Sequence, residues 1–247
     1  MFHDALVPFA ERRIIKMKII FSWDDGALED QKLFELHEKY KIPGMFFVPT
    51  FNREGRKVLT KEMIRSSESE YVQFGGHTQN HTYLTSIPLE DVEEEVLLNK
   101  NYLEECLGHE IKHFCLPGGK YTKEILPIVY RHFETIRTAD TMNFKYEGGL
   151  LVPTIHFYPR GIKSLLGNAF KHNSYEEMLY VLTHGMKDYF DIINGIIQRE
   201  KKKEDRVIVI WGHSWEIEQY NLWDKLEQCM ELVKNSDCYY MYSDIFE

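Results

Sequence analysis

The segment Phe21-Ser22-Trp23-Asp24-Asp25-Gly26 places two adjacent carboxylates at the end of an apolar run and follows them with glycine. The run Ile19-Ile20-Phe21 is typical of a buried strand, and α/β folds place their chemistry at the carboxyl ends of such strands. Adjacent strand residues point to opposite faces unless a glycine lets the chain turn. Two anions held close together require a cation, so the segment indicates a metal site. Taken alone, it would also fit a solvated turn.

Two histidines four residues apart occur in Gly75-Gly76-His77-Thr78-Gln79-Asn80-His81, directly after the strand-like run Tyr71-Val72-Gln73-Phe74. In a helix or helical turn, this spacing places both imidazoles on one side, where they can share a metal. Asp25, His77 and His81 together would give one carboxylate and two imidazoles. Such a set leaves a position open for water and substrate, as catalytic zinc sites do.

Two further segments place polar or flexible residues at predicted strand ends. Phe114-Cys115-Leu116-Pro117-Gly118-Gly119 ends a short apolar run in a glycine pair, which lets backbone N–H groups approach a ligand or simply makes a tight turn. Val207-Ile208-Val209-Ile210-Trp211-Gly212-His213 is a strong buried-strand pattern, with His213 just past its end. If the strands are parallel, His213 shares a rim with the carboxylates and the histidine pair.

The order of these four segments resembles that of the NodB-type polysaccharide deacetylases, carbohydrate esterase family 4, from Lys18 to roughly the C-terminus. Ser22-Trp23-Asp24-Asp25-Gly26 resembles the family's Thr-Phe-Asp-Asp-Gly motif. His77-Thr78-Gln79-Asn80-His81 is similar to its His-Ser/Thr-x-x-His motif. Val209-Ile210-Trp211-Gly212-His213 resembles its Leu-x-Leu-x-His motif, with an altered interval before the histidine.

The resemblance implies a role for each site residue. Asp24 would be the general base, and His213 the general acid that protonates the leaving amine. Asp25, His77 and His81 would hold one divalent metal ion, with zinc as the first choice and cobalt, nickel or manganese as alternatives. Other residues would bind substrate or stabilise the oxyanion, and we assign this role to Gly118, Trp211, Trp215 and Glu216. Glu216 could instead orient His213, and the two tryptophans could simply exclude water.

The chain departs from the family pattern in its third motif. Cys115 stands where the family commonly carries an arginine that orients the base, and Gly118 replaces a tyrosine beside the proline. The motif that tunes the acid histidine has no clear counterpart, although Arg137 or Asp140, after the next predicted strand, could substitute. These differences indicate a divergent branch of the family.

Strand and helix patterns alternate along the chain, which argues for a parallel α/β architecture. The resemblance narrows this to a distorted (β/α) barrel of the polysaccharide deacetylase type. We expect an N-terminal extension over residues 1–16, with Met17 as a possible true start, and a single catalytic domain over residues 17–247. A helical insert is expected near residues 161–203, and a last strand at Tyr239-Tyr240-Met241-Tyr242.

Composition excludes several classes of partner and site. The 247 residues carry a formal net charge of −9, which argues against nucleic acid as a partner. The four cysteines form no Cys-x-x-Cys pair, so we expect reduced thiols rather than a zinc knuckle or a disulfide framework. No stretch reaches transmembrane length and the N-terminus lacks a secretory pattern, so we expect a cytoplasmic protein of undetermined oligomeric state.

The function expected from the resemblance is metal-dependent removal of an N-acetyl group from an N-acetylated sugar, polysaccharide or glycan precursor. Two alternatives stay open. One is an amide hydrolase for a non-sugar substrate, such as a cyclic imide or ureide. The other is a non-catalytic member that keeps the metal and binds carbohydrate, because it lacks the arginine at Cys115.

Overall fold

The computed structural model describes residues 17–144, 146, 149–184, 188–203 and 206–245. The predicted N-terminal extension, residues 1–16, lies outside the described residues. The strands are β1 (Lys18–Asp24), β2 (Gly44–Val48), β3 (Val72–Gly76), β4 (His113–Cys115), β5 (Thr135–Arg137), β6 (Leu150–Leu151), β7 (Ile155–His156) and β8 (Val207–Gly212). The α-helices are α1 (Asp30–Tyr40), α2 (Lys61–Ser67), α3 (Val92–Leu107), α4 (Ile125–Tyr130), α5 (Ile162–Lys171), α6 (Tyr175–His184), α7 (Tyr189–Glu200), α8 (Ser214–Gln219) and α9 (Trp223–Lys234).

Eight strands form one sheet in the order β6-β5-β4-β3-β2-β1-β8-β7, and every strand pair is parallel. β1 lies between β2 and β8, with Phe21 beside Gly44 and Lys18 beside Val207. Its side chains are buried on both faces from Ile19 onward, as in the covered sheets of α/β proteins. The continuous apolar run that predicted this strand therefore reflects burial on both sides.

The two edge strands, β6 and β7, are joined by only three residues, Val152, Pro153 and Thr154. A flat sheet of eight strands would separate its edges by roughly 34 Å, since neighbouring strands lie about 4.8 Å apart. Four Cα steps span at most about 14 Å. The sheet must therefore curl on itself, which makes the architecture a distorted (β/α) barrel and confirms the expected fold class.

Three parts of the local structure differ from the sequence-based expectations or add to them. Residues 239–242 form no strand; Tyr239 makes an isolated bridge to Ile19, where β1 has not yet met β2. Helices α5, α6 and α7 occupy the region between β7 and β8 where we expected a helical insert. The four cysteines are free thiols, three of them buried.

His37 on α1 is a fully buried histidine whose two ring nitrogens have fixed roles. Its Nε2 accepts from the indole N–H of Trp23 at 2.7 Å, so its Nδ1 carries the proton and donates to the carbonyl of Ile42 at 2.6 Å. A second proton, on Nε2 of His37, would point at the Trp23 N–H and replace this hydrogen bond with a repulsive contact. Burial lowers the pKa of His37 to about 4, although its bond to Ile42 acts in the opposite direction.

We therefore expect His37 to make stability depend on pH. An unfolded histidine binds a proton near pH 6.5 and the folded one near pH 4, so the unfolding free energy should fall as pH drops between these values. Other buried histidines contribute equally to both proteins, so the wild type should lose about 3 kcal/mol more than His37→Gln over this range. Urea unfolding of both proteins from pH 7.5 to 4 measures it.

The exposed His109 supplies a matched control, since its bond to Glu68 raises its pKa. His109→Gln should therefore lose at least as much unfolding free energy on acidification as the wild type does. A constant difference between wild type and His37→Gln at every pH would show that folding does not shift the pKa of His37, and it would contradict the prediction.

Candidate active site

The carboxyl ends of five strands carry polar side chains that meet at one edge of the sheet. Asp24 ends β1, Arg137 ends β5 and His156 ends β7, while His77 and His213 directly follow β3 and β8. After Asp24 the chain turns sharply, because Asp25 has a φ of 76° and Gly26 a φ of 57°. Asp residues tolerate this left-handed region better than most, and Gly adopts it without strain. The turn lets two adjacent carboxylates serve one site.

Asp25, His77 and His81 converge as a set of potential metal ligands, with ligand atoms that all lie within 4.8 Å of one another. Oδ1 of Asp25 is 2.9 Å from Nε2 of His81 and 3.5 Å from Nε2 of His77, yet it makes no hydrogen bond with a described residue. Tetrahedral zinc with bonds of about 2.05 Å separates its ligands by about 3.3 Å. Buried lone pairs at this spacing fit a divalent cation.

The two histidines reach this position through an irregular loop rather than the helical turn that we expected. Thr78 and His81 adopt left-handed φ values of 70° and 53°, which brings the imidazole centroids of His77 and His81 to 5.0 Å. The two imidazoles therefore lie close together without the helical turn in which their spacing was considered, because two residues adopt the left-handed region.

His77 is oriented by hydrogen bonds from two directions. Its Nδ1 lies 2.8 Å from the carbonyl oxygen of Cys115, so Nδ1 carries the proton and Nε2 keeps its lone pair toward Asp25. Its backbone N–H donates to Oδ1 of Asn99 at 2.7 Å, and the Asn99 amide donates to Val48 and Thr50. The ring is thus held in the tautomer that a metal requires.

Asp24, His77 and Cys115 form a second group that could in principle bind a metal. Burial raises the pKa of the Cys115 thiol well above its usual range, and Asp24 adds to the effect. A thiol must lose its proton to ligate a metal. The set containing Asp25 and His81 is therefore the better candidate.

Asp24 is paired with a buried arginine from the neighbouring part of the sheet. The guanidinium Nη2 of Arg137 donates to Oδ1 of Asp24, and its Nη1 donates to the Thr138 carbonyl at 2.8 Å. Cys115 and Arg137 are register partners on β4 and β5. Cys115 occupies the position at which the resemblance placed an arginine, whereas Arg137 reaches Asp24 from the next strand of the sheet.

His213 belongs to a chain of hydrogen bonds whose direction can be deduced. Nε and Nη2 of Arg160 lie 3.0 and 2.6 Å from Nδ1 of His156; both are donors, so Nδ1 must accept. Nε2 of His156 therefore carries the proton and donates to Oε2 of Glu216 at 2.9 Å. The same oxygen accepts from Nδ1 of His213 at 2.6 Å. Nε2 of His213 is left facing the site, 4.0 Å from Oδ2 of Asp25.

These hydrogen bonds fix the charge states of His156, Glu216 and His213. Burial disfavours protonation of His213, but Asp25 and Glu216 outweigh it and raise its pKa to about 9. Burial also opposes ionisation of Glu216, but hydrogen bonds from His156 and His213 lower its pKa to about 2. Burial lowers the pKa of His156 to about 4. At neutral pH, and before any metal binds, His156 is therefore neutral, Glu216 is an anion and His213 is a cation.

The ligand set and His213 line one cavity of about 270 Å³. Its walls contain eight of the nine residues assigned to the site from sequence, and three that were not foreseen: Asp24, Asp25, His77, His81, Gly118, Trp211, His213 and Trp215, with Glu54, Tyr83 and Ala139. The ninth, Glu216, does not line the cavity and lies behind His213. Tyr83 and Glu54 lie in irregular segments that do not directly follow a strand. The other residues were found because they stand at predicted strand ends, and that pattern does not include these two.

The aromatic residues of the cavity have different environments. Trp211 is buried, stacks on His156 with centroids 4.0 Å apart, and donates its indole N–H to the Asp140 carbonyl. Trp215 is half-buried, donates to Oδ2 of Asp25 at 2.8 Å, and lies under the Arg56 guanidinium. Gly118 has a φ of 60°, and a methyl group there would lie 3.0 Å from the Tyr83 ring. Gly118 therefore permits Tyr83 to close that wall.

Comparison with known proteins finds a matching family model over part of the chain and similar solved structures. Residues 13–132 match a family model described as polysaccharide deacetylase. A peptidoglycan-N-acetylglucosamine deacetylase from Bacillus cereus is 26% identical over 103 residues, which are 41% of this chain and 46% of that protein. The chain thus spans less than half the length of the curated relative that it matches.

Solved structures resemble the chain over nearly its whole length. A protein from Mycobacterium smegmatis that is assigned to the polysaccharide deacetylases has a TM-score of 0.67 and 13% identity, covering 97% of this chain and 92% of its own. A family 4 carbohydrate esterase pseudoenzyme from Bacillus anthracis has a TM-score of 0.57 and 10% identity, covering 94% and 66%. At these identities the likeness shows the fold alone.

The hydrogen-bond chain predicts that Glu216 controls the protonation of His213. In metal-free Glu216→Gln, loss of the carboxylate charge should lower the pKa of His213 from about 9 toward its ordinary value of 6.5. Histidine NMR titration measures this pKa directly. Glu218→Gln is the matched control, because Glu218 lies on the same helix and bonds Trp223 instead. An unchanged pKa of His213 in Glu216→Gln would contradict the assignment.

Proposed function

We propose that the chain, whose residues 13–132 match the polysaccharide deacetylase model, is a metal-dependent hydrolase that removes an N-acetyl group from an N-acetylated sugar, polysaccharide or glycan precursor. The observation that carries the proposal is one cavity that combines three potential metal ligands, an arginine-held carboxylate and a histidine facing them. Amide hydrolysis requires these groups: a site that polarises the carbonyl, a base for water and an acid for the amine.

Asp25, His77 and His81 would hold the divalent ion, with zinc as the first choice because imidazole and carboxylate ligands in a three-residue open set suit it. Cobalt, nickel and manganese are the alternatives. When bound, such an ion supplies Lewis acidity, which polarises the acetyl carbonyl and lowers the pKa of a water molecule beside it.

Asp24 is the proposed general base, and Arg137 holds it in place. The bond to Arg137 occupies Oδ1, so Oδ2 is the oxygen left to take a proton from water as that water attacks the acetyl carbon. The Sγ of Cys115 lies 3.7 Å from Oδ2 as a neutral thiol. The backbone N–H of Gly118 is the proposed donor to the oxygen on which negative charge develops.

His213 is the proposed general acid. Its Nδ1–H bond to Glu216 leaves Nε2–H facing the cavity, where it can protonate the nitrogen as the C–N bond breaks, so that acetate and a free amine leave. A divalent ion at Asp25 would place positive charge near His213 and lower its pKa from about 9 toward neutrality. This direction favours release of the proton in the reaction.

The non-catalytic alternative rested on the missing arginine at Cys115. Arg137 pairs with Asp24 and removes that argument. The non-sugar amide hydrolase keeps the same machinery, because a cyclic imide or ureide also presents a carbonyl to water and a nitrogen to acid. A choice between these substrates is therefore a matter for assay.

Metal binding should depend on Asp25 in particular. Asp25→Asn keeps the shape of the side chain but loses the charge, so we expect zinc affinity to fall at least about 100-fold relative to wild type. Competition with a chromophoric chelator measures the affinity without any assay of activity. His109→Gln, at an exposed histidine outside the cavity, should bind zinc as the wild type does. Equal affinity in Asp25→Asn would place the metal elsewhere.

Catalysis should depend on Asp24 without a matching loss of metal. We expect zinc- or cobalt-loaded wild type to release acetate from N-acetylglucosamine oligomers, and Asp24→Asn to be slower by about 100- to 10,000-fold. Asp224→Asn, an exposed aspartate on α9, should retain wild-type turnover. If the loaded wild type releases no acetate from acetylated sugars but opens a cyclic imide or ureide, the non-sugar hydrolase replaces our proposal.

A further inference from the structure

Three cationic side chains lie over aromatic rings that form walls of the active-site cavity. The guanidinium carbon of Arg56 lies 3.8 Å from the centroid of the Trp215 ring. Nζ of Lys120 lies 4.5 Å from the centroid of the Tyr83 ring, and the guanidinium carbon of Arg53 lies 5.9 Å from it. Both rings line the cavity, and a cation is attracted to a ring face at these distances. We call Arg53, Arg56 and Lys120 the rim cations.

Arg56 is placed beside the proposed metal ligands through Trp215, which donates its indole N–H to Oδ2 of Asp25 at 2.8 Å. The guanidinium is poorly satisfied within the part of the chain that the structure describes. Its buried Nε makes no hydrogen bond there, and its Nη2 lies 3.8 Å from Oε2 of Glu54, which is too far for a hydrogen bond. Glu54 itself lines the cavity, so this guanidinium meets the cavity wall with unused donors.

Arg53 and Lys120 have no carboxylate within ion-pair distance among the described residues, and both are exposed. Lys120 follows Gly118, another residue of the cavity wall, by two positions. Beside Arg53, Glu95 is already bonded, because it accepts from the side-chain amide of Asn80, whose carbonyl accepts the backbone N–H of Arg53. The rim therefore carries an excess of positive charge, although acidic residues outnumber basic ones in the chain by 39 to 30.

The cavity itself has room for only part of a large substrate. Its volume is about 270 Å³, whereas sites that enclose a whole drug-sized ligand measure about 300–1,000 Å³. The acetyl group has to enter the cavity, because the proposed base and acid face each other there. The remainder of a larger substrate therefore lies along the rim, where it meets the rim cations.

The number and the type of the rim cations favour phosphate over a carboxylate as their ligand. Glu54 offsets at most one of the three, which leaves an excess of two positive charges. A phosphate monoester carries about 1.5 to 2 negative charges at pH 7, whereas a sugar carboxylate carries one. Two of the rim cations are arginines, whose planar guanidinium groups bind phosphate oxygens in pairs. Positive charge at the mouth of a cavity also raises the local concentration of an anionic substrate.

We propose that the substrate is an N-acetylated sugar that carries a phosphate group, and that Arg53, Arg56 and Lys120 bind this phosphate while the acetyl group occupies the cavity. The inference rests on the proposed function, because it takes an acetylated sugar as the molecule that enters the site. It adds a charge that neutral acetylated glycans lack. The rim cations are not among the residues that line the cavity, so they act on the choice of substrate and not on the reacting atoms.

Ligand binding to zinc-loaded Asp24→Asn tests the inference by calorimetry, because this variant lacks the proposed base and spares the probe. The probes are N-acetylglucosamine 1-phosphate, N-acetylglucosamine 6-phosphate and the neutral methyl glycoside of N-acetylglucosamine. We expect at least one phosphate to bind at least about 10-fold more tightly than the glycoside, which is the effect of one charge-assisted hydrogen bond. Adding Arg53→Gln/Arg56→Gln/Lys120→Gln should remove this preference and leave the affinity for the glycoside unchanged.

Two other cations that lie over rings outside the cavity supply matched controls. Arg199→Gln removes a guanidinium from the Tyr180 ring, and Lys32→Gln removes an ammonium from the Trp223 ring. Both should keep the preference for phosphate. Zinc affinity and thermal unfolding of each variant separate a lost phosphate contact from a lost metal or a lost fold. If the triple change prevents folding, Arg53→Gln/Lys120→Gln, at two exposed positions, takes its place.

Three results would overturn the inference: equal affinities for the phosphates and the glycoside, a phosphate preference that survives the triple change, which would assign the phosphate to the metal, and tighter binding of N-acetylmuramic acid, which carries a carboxylate. Acetate release by wild type from neutral N-acetylglucosamine oligomers is measured separately. Release without a phosphate preference sustains the proposed function and overturns only this inference. Phosphate-selective binding without release from any of the sugars overturns the proposed function and leaves the rim as the phosphate-binding part of the site.

Discussion

The site contains three buried carboxyl groups, and the described residues do not offer each of them a cation. This shortage of positive charge constrains the rest of the site. Asp24 receives Arg137, and Asp25 receives the imidazoles and a proposed metal ion. No cation among the described residues pairs with Asp30, and burial together with the charges of Asp25 and Asp24 raises its pKa well above the usual range, although Ser214 opposes this. Because a buried charge must be paired or neutralised, burial favours the protonated form of this third carboxyl. The left-handed turn at Asp25 directs the carboxyl groups of Asp24 and Asp25 toward different partners.

The same logic explains why His213 is held from both sides. Glu216 fixes its Nδ1, and Asp25 attracts its Nε2 at a distance too long for a hydrogen bond. Glu216 would itself be a buried anion, so it accepts a second bond from His156, whose tautomer is fixed by Arg160. His213 is therefore positioned by residues on β7 and α8 and in the segment after β7, and the half-buried Arg160 determines, through His156 and Glu216, which ring nitrogen of His213 donates inward.

Much of this arrangement could be predicted from sequence, because parallel strands bring their carboxyl ends to one edge. Asp24, His77 and His213 each follow an apolar run, and the order of the runs placed them together. The conformation of the histidine loop could not be predicted, since left-handed φ values at Thr78 and His81 leave no mark in residue type. Tyr239–Tyr242 resembled a strand because it is aromatic, but β1 offers a free edge there for only a single bridge.

The arginine that reaches Asp24 from β5 has a consequence for how relatives are sorted into enzymes and inactive proteins. Cys115 and Arg137 are neighbours across two strands, so either position can deliver a guanidinium to nearly the same point in space. A linear motif records only which residue occupies a position along the chain. A search that discards chains without arginine in the third motif would discard this one, although a guanidinium does pair with Asp24. Inactivity in such chains has to be judged from the coordinates of the guanidinium.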